Sequence, residues 1–186
     1  LDETDVVILH KQEAGNIEEA DRKNLNEYLA RGGGLVVIHA GTVSRDPDWF
    51  RGIVGGSWRN GTTKWLEGPM QLYFTDRDNP ITNGAATWEM DDEIYYDMDI
   101  LPEVRILAAA YTPLSAGARN ANFQRRANEL TGGGKKVSIY DIQPQMWTYE
   151  RTASGGSAPY RAFVSIPGHL YVNFNRPNYR AILLRG

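Results

Sequence analysis

The most constraining feature of the chain is a segment near its start in which two buried-type strands bracket one amphipathic helix. Residues 5–9, DVVIL, form an unbroken β-branched run of the kind found in strands covered on both faces. Between residues 15 and 34, Ile17, Ala20, Leu25, Tyr28 and Leu29 recur with helical spacing. Asn16 with Glu19 three residues on forms a capping-box pattern, and Gly32 suits the position just past the helix. A second buried run, LVVIHA at 35–40, follows. Strand, helix, strand is a βαβ unit, which joins parallel strands by a crossover that is right-handed in nearly all proteins. The chain is therefore expected to be α/β, with a mostly parallel sheet flanked by helices.

The remaining pattern extends that sheet. DPDWFRGIVGG at 46–56 predicts a short helix with Pro47 in its first turn and glycines at its end. GPMQLYFTD (68–76), DDEIYYDMDI (91–100), VRILAAAY (104–111), PQMWTYE (144–150) and RAFVSIPGH (161–169) read as strands. NPITNG (79–84) reads as a turn, SGGSAP (154–159) as a loop and RPNYRAILLRG (176–186) as a helix. Residues 113–135 are polar and glycine-rich and read as a surface excursion, with a helical turn around Gln124–Leu130. No repeat or linker divides the chain, so residues 1–186 are expected to be one domain.

Composition narrows the chemistry. A net charge of −3 with no basic block gives no support to nucleic-acid binding, which requires phosphates to be neutralised. No apolar run approaches the roughly 20 residues that span a bilayer. With no cysteine, thiolate nucleophiles, cysteine metal sites and disulfides are excluded. The catalytic vocabulary is then carboxylates, hydroxyls and three histidines, His10, His39 and His169.

In open α/β sheets, ligands bind beyond the carboxyl ends of the strands. His39 follows LVVI and His169 follows FVSIPG, so both fall at such ends. His10 lies in the polar stretch LHKQE and reads as solvated. MDDEIYYDMD carries a carboxylate cluster that reads either as a charged edge strand or as the source of a partner, Asp92 or Glu93, for the two histidines. Two histidines and a carboxylate can act as an acid–base set or hold a divalent metal; the residue pattern leaves both open, and no cofactor is fixed by it. Trp58 and Trp147, beside glycines or at a strand end, are candidate platforms for the apolar face of a sugar, with Tyr95 a further substrate contact. Trp49 and Trp88 read as core.

YLARGGGLVVIHAG, WFRGIVGGSW, NPITNG, DDEIYYDM, PQMWTYE and FVSIPGHLYVNFNRPNYRAILLRG stand in the order seen in the trehalose-utilisation (ThuA-like) family, which the chain resembles over essentially its whole length. The resemblance implies a flavodoxin-like fold similar to class I glutamine amidotransferases, and on that pattern the family's first strands are expected to be missing here. His39 stands where those enzymes present a cysteine, and His169 near the place of their histidine. It also implies carbohydrate catabolism: hydrolysis or elimination of a disaccharide oxidised at C3, with His39, Glu93 and His169 as catalytic residues and Trp58, Tyr95 and Trp147 around the sugar. The alternative it leaves is a non-catalytic sugar-binding or scaffolding module of a larger secreted or multi-subunit protein. Asn79 stands where the family often has histidine.

Overall fold

The computed structural model describes residues 1–113 and 140–186. In chain order the strands are β1 (Val6–Leu9), β2 (Gly34–Ile38), β3 (Gly56–Ser57), β4 (Lys64–Phe74), β5 (Trp88–Tyr96), β6 (Asp99–Ile100), β7 (Arg105–Pro113), β8 (Tyr140–Thr152) and β9 (Pro159–Ser165). The helices are α1 (Glu19–Ala30), α2 (Pro47–Val54) and α3 (Pro177–Arg185). Seven strands form one sheet in the order β1-β2-β9-β8-β7-β4-β5, while β3 and β6 make a small antiparallel ribbon.

The expected mostly parallel sheet is corrected to a mixed one. β1, β2 and β9 run parallel, whereas β8, β7, β4 and β5 each run antiparallel to their neighbours. Connection length explains the reversal between β8 and β9. Parallel neighbours need a crossover of about a dozen residues or more, usually a helix. α1 supplies one between β1 and β2, but only residues 153–158 separate β8 from β9. β4 and β5 are joined by hydrogen-bonded turns, with Asn79 N–H donating to Asp76 Oδ1 at 3.1 Å.

The unbroken apolar run of β2 follows from its coverage. Leu35 and Val37 pack with Leu25, Tyr28 and Leu29 of α1 and with Phe50 and Val54 of α2. Val36 and Ile38 point the other way, into a cluster with Phe163, Leu72 and Tyr179 and Ile182 of α3. Helices therefore cover both faces of the sheet. The capping box expected at α1 does not form: Asn16 Oδ1 accepts from Arg45 N–H at 2.6 Å, and the helix starts at Glu19 without a side-chain cap. α2 starts at Pro47 and ends in glycine as expected, Gly55 closing it in a left-handed conformation, and the structure adds an N-cap, Asp46 accepting from Trp49 N–H. The excursion expected at 113–135, with its helical turn, lies outside the described residues apart from Pro113.

Candidate active site

His39 is the first residue after β2 and opens a turn of 3-10 helix, His39–Thr42. Its φ of 52° lies in the left-handed region, uncommon for a residue with a side chain and worth a functional reading where it is held in place. It is held on three sides. Thr42 Oγ1 donates to the His39 carbonyl at 2.8 Å, His39 Nδ1 donates to the Ile166 carbonyl at 2.9 Å, and the ring is 5 % exposed. Gly41, two residues on, permits the turn: a Cβ there would stand 2.2 Å from the Leu9 carbonyl oxygen.

His169 lies just past β9, on a loop anchored by one carboxylate. Asp92, fully buried, accepts from the backbone N–H of Gly168 at 3.0 Å, His169 at 2.8 Å and Leu170 at 3.3 Å, and from Asn173 Nδ2 at 2.7 Å. A buried carboxylate with that many donors is satisfied without a cation. Gly168 has φ +141°, and a Cβ there would sit 2.5 Å from Ile38 Cγ2, so the loop needs glycine beside the histidine.

β5 is an edge strand, and its alternation sorts the acidic cluster. Asp92 falls on the same face as Met90 and Ile94 and holds the loop; Glu93 and Tyr95 fall on the other and meet His39. Glu93 Oε2 lies 3.2 Å from His39 Nε2, and Glu93 Oε1 lies 3.8 Å from His169 Nε2. The Tyr95 hydroxyl is 2.8 Å from His39 Nε2. The two imidazole centroids are 5.2 Å apart. One donor atom from each of His39, Glu93 and His169 lies within 4.8 Å of the others, a spacing that could hold a metal ion.

The electrostatics follow from the hydrogen bonds. The Ile166 carbonyl can only accept, so the neutral His39 ring carries its proton on Nδ1 and turns the Nε2 lone pair toward Glu93 and Tyr95. Burial pulls the His39 imidazole down to about 4, against smaller raising effects of the Ile166 bond and Asp92, with His169 and His10 adding to the depression. Burial also raises the Glu93 carboxyl above the usual carboxylate range; His169 opposes this, while Glu67 and Asp92 reinforce it. The Tyr95 phenol is pushed up by burial and by Glu93 and Asp92, so it keeps its proton and can donate to Nε2. Glu93 Oε2 and His39 Nε2 are then two acceptors in contact, which favours a proton or a cation between them.

The other candidates separate. Trp58 is partly buried, edge-on to Tyr95 at 4.9 Å, with its indole N–H donating to Asn60 Oδ1. Tyr95 is buried at the centre rather than open to solvent. The expectation for Trp147 is corrected: its side chain is wholly buried, and its indole N–H donates to the Val54 carbonyl at the end of α2, so it cannot present a face to a ligand. His10 is exposed, as expected, yet its Nε2 lies 3.1 Å from the Gly168 carbonyl and its ring meets Phe174 edge-on. Sequence reasoning missed the loop anchor formed by Asp92 and Asn173, whose only signal was a second carboxylate beside Glu93.

The fold and the cluster define an α/β protein in which two strand-end histidines meet a strand-borne carboxylate. The chain belongs to the ThuA family, described as trehalose utilisation, whose family model matches residues 1–186. Among solved structures it is similar to a ThuA-like protein of Parabacteroides merdae, with TM-score 0.66 and 20% identity over 97% of this chain and 68% of that one. It is also similar to a ThuA-like protein of Bacteroides uniformis, with TM-score 0.62 and 19% identity over 97% of this chain and 66% of that one. A cytoplasmic protein of Salmonella typhimurium matches with TM-score 0.58 and 10% identity, over 97% and 69%. The chain thus spans about two thirds of the length of these relatives. At such identities the likeness is one of fold. Comparison with curated proteins finds no match. No helix among the described residues is long and apolar enough to cross a membrane.

Proposed function

We propose that the chain carries the centre of a carbohydrate-active enzyme in which His39, Glu93 and His169 cleave an oxidised, 3-keto glycoside. The observation that supports this reading is the convergence of one donor atom from each of these residues within 4.8 Å, delivered by three separate segments. A keto group at C3 acidifies the neighbouring C2–H. Removal of that proton forms an enolate, and its electrons expel the glycosidic oxygen from C1; water then adds to the resulting double bond. Glu93, with its carboxyl raised by burial, is suited to take the C2 proton, because a base works best near the operating pH. His169 is the most open member of the centre, with 44% of its side chain exposed, and is placed to return a proton to the leaving oxygen. Neutral His39, fixed by Ile166, receives the Tyr95 hydroxyl at Nε2 and lines the site beside Glu93.

The same three residues suit a divalent cation that favours nitrogen and oxygen ligands, with room for water or substrate. Such an ion would polarise the keto oxygen and stabilise the enolate. The test is turnover of 3-keto-trehalose followed by NMR, with and without added Zn²⁺ or Mn²⁺. The parent protein is expected to release glucose, and Glu93→Gln to lose at least about a hundredfold in rate. Parent-like turnover by Glu93→Gln would remove the residue from the mechanism.

A further inference from the structure

Trp147 cannot serve as a sugar platform, but another tryptophan stands beside the centre. β4 and β5 pair antiparallel with Trp65 opposite Tyr95 and Glu67 opposite Glu93. Directly opposed residues of such a pair share a face, with Cβ atoms about 4.5–5.5 Å apart. The electrostatic effect of Glu67 on Glu93 agrees with that placement. Trp65 is 56% exposed, an unusual state for so large an apolar side chain, and none of the described aromatic rings packs against it. The face that carries Glu93 and Tyr95 inward to His39 therefore continues outward into an open indole and an exposed carboxylate.

Resting on the carbohydrate reading above, we propose that Trp65 and Glu67 form the substrate-recognition wall of the centre, the Trp65 indole stacking on the C–H face of a pyranose. Glu67 accepts hydrogen bonds from hydroxyls on the ring's rim. A pyranose offers this combination, an apolar face bounded by polar edges, and an aromatic next to a carboxylate matches both parts. The buried Tyr95 links the wall to the reacting group, since its hydroxyl sits on His39 while its strand neighbour holds the sugar. Trp58 packs edge-on against the same Tyr95 ring at 4.9 Å.

Saturation-transfer NMR on the whole chain, with trehalose and 3-keto-trehalose as probes, tests the assignment. Transfer to pyranose ring protons is expected for the parent protein. Trp65→Ala should weaken binding about tenfold, and Trp65→Tyr, which keeps a stacking face, should retain most of it. An unchanged melting temperature and unchanged Zn²⁺ affinity in Trp65→Ala would separate lost stacking from a damaged fold. Equal sugar affinity in the parent and Trp65→Ala would overturn the role of Trp65 while leaving the carbohydrate reading intact. If neither sugar binds the parent, the carbohydrate reading fails and the wall with it.

Discussion

The two halves of the sheet build the centre by different means. In the parallel half, β2 and β9 contribute nothing along their length except packing; their chemistry lies in His39 and His169, just beyond their ends. In the antiparallel half, β5 contributes along its length, with Asp92 on one face and Glu93 and Tyr95 on the other. Strand ends place a group through the loop that follows, so they depend on backbone devices: the left-handed φ of His39 and the glycines Gly41 and Gly168. A strand face places a group through alternation and register, so it depends on the partner strand. The two modes are stitched together at Asp92, a carboxylate of the antiparallel half accepting hydrogen bonds from the loop of the parallel half.

The largest effect should come from cutting that stitch. Asp92→Ala leaves the N–H groups of Gly168 and His169 without their acceptor and removes one of the two acceptors of the Asn173 amide, the other being the Asp91 carbonyl. Unfolding in urea should show a loss of about 3–5 kcal/mol, the range for removing one partner of a buried charged contact. A loss under about 1 kcal/mol would mean that the loop is held by something else.

Next comes the loop itself. Gly168→Ala introduces both a strained φ and a Cβ 2.5 Å from Ile38, whereas Gly84 has φ +75° with nothing within 4 Å of the added carbon. Gly168→Ala should therefore cost about 2–4 kcal/mol and Gly84→Ala only about 1 kcal/mol, by the same urea measurement. Equal costs would show that the approach of the two halves is looser than the distances indicate.

The acid response tests how far burial governs His39. Its folded pKa of about 4 lies below the ordinary value of 6.5, so between those pH values the unfolded chain binds more protons than the native one. Stability should then rise with pH across that window and fall as pH drops from 6.5 toward 4, by up to about 3 kcal/mol. Glu93 acts with the opposite sign, its raised pKa favouring the native state at low pH and withdrawing that support as pH rises through its folded value. In metal-free buffer, His39→Asn should flatten the fall between pH 6.5 and 4; a slope identical to the parent would assign it to another group.

The smallest stability effect belongs to His169. Its side chain is 44% exposed and its charged partner is Glu93 at 3.8 Å, so His169→Ala should change unfolding free energy by less than about 0.5 kcal/mol. His39→Ala should cost about 2 kcal/mol, because the Ile166 carbonyl and Tyr95 hydroxyl lose their partner. Similar costs for both would contradict the contrast between a pinned and an open histidine.

The same contrast explains what could be read from the sequence. Strand ends are visible in a linear pattern, because an apolar run stops and a polar residue follows; LVVIH and FVSIPGH placed both histidines there. Glu93 could not be told from Asp92, since the choice depends on which face of β5 meets the histidines, a matter of register. The early βαβ unit predicts parallel strands, and only the short link between β8 and β9, six residues and too few for a crossover, marks where the sheet turns antiparallel. The burial of Trp147 is not legible in the sequence, because the Val54 carbonyl that satisfies its indole comes from a distant helix end. Trp65 carries no signal in a strand read from Gly68, but β4 begins at Lys64, which brings the tryptophan into the hairpin.

The most direct test of a single His–Glu–His centre is a double-mutant cycle on 3-keto-trehalose turnover with His39→Ala, His169→Ala and the two combined. Residues that act as one unit lose nearly everything singly, so the double variant should be scarcely slower than either single one. Losses that multiply, or singles that turn over at the parent rate, would show that the two strand ends do not share one reaction.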